Sequence, residues 1–183
     1  MKYLLISFLS LSTLIAVSHG QDRQLNGFME IPWGASPDQA RAALEARSQA
    51  TYDSGASSPA KRWWNGGTFA GYPATAEHSF ALEFYDNKLC KAVVFLKSAS
   101  PKHKEEFKTM KKLLTEKYGT CNSEHLQGDE WRAEWRLAVM GKQQATITLE
   151  NAPGSQGCKI IYALHTLNGP ASSPTRSGPS KDL

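Results

Sequence analysis

Phe80, Leu82 and Phe84 alternate with Ala81, Glu83 and Tyr85, and Trp131, Ala133, Trp135 and Leu137 alternate with Glu130, Arg132, Glu134 and Arg136. Side chains on a strand point to opposite faces in turn, so this period of two describes an antiparallel sheet with one dry and one wet face. That pattern constrains the fold more than any other feature of the chain. Asp86-Asn87-Lys88 supplies a turn, after which Leu89 to Leu96 returns as the partner of the first run. Ala145 to Glu150 and Cys158 to Thr166 read as another hairpin, joined by the loop 151–157.

Two helices interrupt the strands. Ser36-Pro37-Asp38-Gln39 carries the signature of a capping box with proline in the first turn, and Ala40, Ala43, Leu44 and the stem of Arg47 form a narrow buried stripe. The second helix opens at Ser100-Pro101. It repeats Phe107, Met110, Leu114 and Tyr118 at spacings of three and four, and stops at Gly119. Its outer face carries Lys104, Lys108, Lys111 and Lys112 among Glu105, Glu106 and Glu116, which reads first as a solvated face and second as a landing site for an acidic partner.

The order recurs. A Ser-Pro helix is followed by strands and then by Cys90-Lys91 with an apolar strand; a second Ser-Pro helix is followed by strands and then by Cys158-Lys159 with another. This predicts an α+β fold of two tandem repeats, 27–99 and 100–167. Each is a helix plus about four antiparallel strands, together forming one curved sheet with the helices on one face.

The ends have a different character. Lys2, the apolar run Tyr3 to Val17, and Ser18-His19-Gly20 read as a signal peptide over residues 1–20, cut before Gln21. The run is short of the ~20 residues of a spanning helix, so no stable membrane insertion is expected. Residues 21–26 read as a polar leader, and 168–183, rich in Pro, Ser and Gly, as a disordered tail. A periplasmic or secreted location follows. Lys and Arg number 21 against 17 Asp and Glu, too mild an excess to mark a nucleic-acid partner.

Reactive constellations are missing from the pattern. The histidines of the exported chain, His78, His103, His125 and His165, fall at no metal-ligand spacing, and no CxxC, HExxH, GxSxG or phosphate loop occurs, so no metal, cofactor or catalysis is expected. Glu130 and Glu134 share a strand face, but Arg132 and Arg136 alternate with them. Cys90, Cys121 and Cys158 make an odd count. The expected bridge is Cys121–Cys158, a closure of about 4 kcal/mol, with Cys90 left unpaired and Cys90–Cys158 as the rival.

Recognition residues are sought among the five tryptophans. Trp63 and Trp64 are adjacent, so on a strand one is buried and the other exposed. With Lys61 and Arg62 before them they form the candidate binding spot, since Trp and Arg often carry interface energy.

Gly27-Phe28-Met29-Glu30-Ile31-Pro32-Trp33-Gly34-Ala35-Ser36, the hairpin Leu82 to Leu89 and the helix end Leu114 to Gly119 resemble an "IPWG-x-S" group of small exported bacterial proteins, over about residues 27–165. The tandem layout also resembles the β-lactamase-inhibitor-protein architecture, in which a concave sheet grips a partner. The resemblance implies a non-catalytic binding module, an inhibitor or envelope accessory, with a protein or cell-envelope partner. The alternatives are an envelope hydrolase using carboxylates and a structural envelope component.

Overall fold

The computed structural model describes residues 24–97, 103–139, 143–151 and 157–165. The expected signal peptide at 1–20 and tail at 168–183 lie outside them. Residues 24–26 are not a loose leader. Leu25 is 3% exposed in the core, and its amide donates to the Ala138 carbonyl at 2.9 Å.

The chain opens with a two-residue hairpin, β1 (Gly27–Phe28) and β2 (Ile31–Pro32), turned by Met29 and Glu30 at φ 48° and 61°. A Cβ on Gly27 would sit 2.0 Å from the Ile31 carbonyl oxygen, so only glycine closes this pair. α1 (Pro37–Ser48) starts with the full capping box: the Ser36 hydroxyl accepts from the Gln39 amide, and the Gln39 side chain accepts from the Ser36 amide at 3.0 Å. It ends where Gln49 turns left-handed.

Next come β3 (Thr51–Asp53), β4 (Lys61–Asn65), a small hairpin of β5 (Thr68–Phe69) and β6 (Tyr72–Pro73), then β7 (Phe80–Tyr85) and β8 (Lys88–Phe95). α2 (His103–Tyr118) precedes β9 (Ser123–Gln127), β10 (Glu130–Ala138), β11 (Gln144–Asn151) and β12 (Lys159–His165). Asp86 and Asn87, at φ 53° and 56°, make the tight β7–β8 turn with the twist a two-residue hairpin requires.

Eight strands form one antiparallel sheet in the order β3-β4-β7-β8-β12-β11-β10-β9. β8 and β12 close it in the middle, pairing Lys91 to Phe95 against Ala163 to Lys159. This corrects the expected α+β class of two tandem helix-plus-strand repeats with helices on one face. Among the described residues strand accounts for 48% and helix for 21%, so the fold they form is mostly β, organised by one large sheet. The reason is the β8·β12 ladder: hydrogen bonding runs unbroken across the expected repeat boundary, and a single hydrophobic core follows it.

Alternation assigns the faces. Trp64, Phe80, Leu82, Val94, Ile160, Ile147 and Trp135 point to the core, with Ala40 and Leu44 of α1 and Phe107, Met110 and Leu114 of α2. α1 meets β2, β3 and β8, while α2 meets β10 and β11. The intervening residues make up the second face of the sheet. One row across it runs Asp53, Trp63, Ala81, Val93, Ile161, Thr148, Glu134 and Ser123.

Candidate binding face

β4 splits the four residues singled out in sequence. Lys61 and Trp63 lie on the second face. Arg62 and Trp64 lie on the core face, where Trp64 is fully buried and the Arg62 guanidinium pairs with Asp38 of α1 at 3.3 Å and stands 5.9 Å from the Phe84 ring centre. Arg62 therefore ties a strand to a helix.

Trp63 is the centre of a cluster. The Lys61 ammonium stands 4.5 Å from its ring centroid, His78 packs at 4.9 Å, and Phe95 is near-parallel at 6.2 Å. Beneath them Ala81 and Val93 are 0% and 6% exposed, because the larger rings and stems roof them. The sequence singled out neither His78 nor Phe95. Phe95 reaches Trp63 only through the register of β4, β7 and β8.

His78 is placed by a polar brace. Asp53 accepts from the Gly55 and Ala56 amides at 3.0 Å each and from the Asn65 side chain at 3.1 Å. Asn65 in turn accepts from the His78 amide at 2.7 Å, holding His78 at φ 49°. The Ala56 amide and then the Asn65 side chain hold the Asp53 carboxyl below its ordinary range, with smaller help from Gly55 and from His78, whose ring nitrogen is 3.9 Å away. Asn65-Gly66-Gly67 was legible as a turn, and that was the one available signal for this brace.

Charges surround the apolar centre in matched sets. Glu83 lies between Lys61 at 3.3 Å and Lys91 at 3.1 Å. Glu150 lies between Lys159 at 2.6 Å and Arg132 at 3.6 Å, and Glu134 between Arg132 at 3.4 Å and Arg136 at 2.9 Å. Each carboxylate already accepts from cations on both sides, so none is presented alone to a substrate. Glu130 and Glu134 stand four residues apart on β10, about 13 Å along a strand, and do not converge. Among the described residues no three His, Cys, Asp or Glu side chains gather as a metal site.

Four lysines of α2 are similarly engaged: Lys104 with Asp129, Lys108 with Glu105, Lys111 with Glu124 and Lys112 with Glu116.

No disulfide forms among the three cysteines, which corrects the expected Cys121–Cys158 bridge. Cys121 precedes β9 and Cys158 precedes β12, and β10 and β11 lie between those strands. Three strand spacings of about 4.8 Å far exceed the ~7 Å limit for bridged Cα atoms. The rival Cys90 lies in β8 beside β12, but near the opposite end of that ladder from Cys158.

No family model, curated protein or solved structure matches this chain. The motifs quoted for the resemblance have structural work of their own. The Gly34 amide donates to the Leu89 carbonyl and the Leu89 amide to the Ala35 carbonyl, both at 2.9 Å, joining the opening motif to the hairpin motif. The Trp33 indole donates to the Leu25 carbonyl at 2.7 Å, and Gly119, at φ 78°, accepts from the Trp135 indole at 2.8 Å.

Proposed function

We propose that this chain is an exported, non-catalytic binding module that holds a protein or cell-envelope partner on the second face of its sheet, around Trp63. The observation that carries this reading is the cluster itself. An indole stacks on Phe95, meets the His78 ring at a tilt and has the Lys61 ammonium 4.5 Å from its centroid, beside the buried Ala81 and Val93. Aromatic anchors with an adjacent cation supply much of the energy of protein interfaces, and a ring already packed in place loses little freedom on binding. The doubly paired carboxylates support a recognition role over general acid chemistry, which needs a carboxyl that meets its substrate unpaired. The apolar run before Ser18-His19-Gly20 supports export.

The test is affinity capture from cell-envelope extract with wild type, Trp63→Ala and Arg62→Ala. Trp63→Ala should weaken capture roughly tenfold or more, the size expected of an interface anchor, with an unchanged circular dichroism spectrum. Arg62→Ala, on the other face, should capture as wild type does. Equal capture by Trp63→Ala would remove the reading.

A further inference from the structure

A second site lies away from the Trp63 face. Between α2, the end of α1 and the tips of the two small hairpins is a cavity of about 380 Å³. Its walls are apolar: Met29, Phe69, Met110, Leu114, Tyr118 and Tyr162. They are also preformed. Phe28 stacks on Phe69 at 6.1 Å and meets the Tyr162 ring at a tilt of 57° at 5.1 Å, so the two rings lining the cavity are backed by a third that is fully buried. The hairpin tips are fixed in tight left-handed turns, Met29 and Glu30 on one and Ala70 and Gly71 on the other.

Polar groups in the lining are few: the two tyrosine hydroxyls and the charges of Glu30, Arg47 and Lys117. Tyr162 is 4% exposed and lines the cavity. Burial, with Tyr118 alongside, pushes that phenol well above its ordinary range, so it stays a neutral donor.

At the rim are Arg47, Glu30 and Lys117. Arg47 holds Glu30 at 3.1 Å, so these two charges cancel. Lys117 differs from the four paired lysines of α2. Among the described residues it has no carboxylate partner, and its ammonium rests 5.3 Å from the Tyr118 ring centroid. A neighbouring hollow of about 370 Å³, lined by Gln24, Asn26 and the backbone around them, shares Met29, Glu30, Lys117 and Tyr118 with the cavity. Apolar depth, a net positive rim and a more polar vestibule make an amphiphile's environment in that order. The volume is at the low end for ligand pockets, enough for one chain and too small for a two-chain lipid.

We propose that this cavity binds a single-chain anionic amphiphile, a fatty carboxylate, with its chain against Met110, Leu114 and Phe69 and its head beside Lys117. The site is independent of the Trp63 face.

The experiment is calorimetric titration of the full chain with dodecanoate below its micelle concentration, against dodecyltrimethylammonium of the same chain length. Dodecanoate should saturate at one per chain and bind roughly tenfold more tightly than the cation, an electrostatic preference of ordinary size for a partly shielded rim. Lys117→Glu, an exposed change that leaves the core intact, should abolish most of that preference. Leu113→Trp, which fills the mouth, should abolish dodecanoate binding, while Trp63→Ala should leave it unchanged. No saturable dodecanoate binding, equal affinity for the two head groups, no effect of Lys117→Glu, or loss on Trp63→Ala would each overturn the proposal.

Discussion

Asp53 gives the second face a measurable dependence on acid. Its folded carboxyl lies below the ordinary value of 3.8, so the stability it contributes is complete above that pH and is lost as pH falls through the lower folded value. In Asp53→Asn, thermal unfolding followed from about pH 5 downward should lose part of its acid slope. Superimposable acid limbs would show that the brace contributes nothing. The cysteines offer a second check. Burial, and to a smaller degree Glu106, pushes the Cys158 thiol up to about 12, so in native protein near pH 8 a thiol reagent should spare Cys158. In denaturant without reductant, all three cysteines should react. A loss of two would restore a disulfide. Parity on a strand made it legible that Trp63 and Trp64 face opposite ways. The role of Arg62 was not legible, because its partner Asp38 lies 24 positions earlier. Nor was the placement of His78, which depends on a left-handed backbone before β7 held by the Asn65 side chain of β4.

Elements with local chemistry were the readable ones. α1 announces itself through Ser36, Pro37 and Gln39, and α2 through its apolar spacing and Gly119. Ser36→Ala should remove one half of the capping box and cost about 1 kcal/mol in denaturant unfolding, with the rest of the circular dichroism spectrum intact. A change near zero would mean that packing of Ala40 and Leu44 alone holds the helix. β7 was legible through the alternation of its six residues, and β8 as the apolar return after Asp86-Asn87, which accepts the left-handed turn. β1, β2, β5 and β6 have two residues each, too few for any period, and so escape a reading by pattern. β8 hides a further irregularity. Glu83 faces Lys91 while Phe84 faces Leu89, so Cys90 is the extra residue of a bulge and its place is set by the partner strand.

At the scale of the whole molecule, the two runs of strands belong to one sheet with one core. Unfolding should therefore be a single transition, coincident by tryptophan fluorescence and far-ultraviolet circular dichroism. Two separated transitions would mean that each half stands alone. Local pattern could not show this, since the joint between β8 and β12 is written in no nearby residues. Cys90-Lys91 and Cys158-Lys159 look alike as local patterns, yet the strands that carry them run as one continuous ladder.

That joint also orders events in time. β12 is the last strand of the described residues in sequence, yet it occupies the middle of the sheet. Until it leaves the ribosome, β8 has a bare row of amides and carbonyls along one side, and β11 likewise. A chain halted before Lys159 would be sticky and half-zipped, and its last apolar stretch acts as the key that locks both earlier portions.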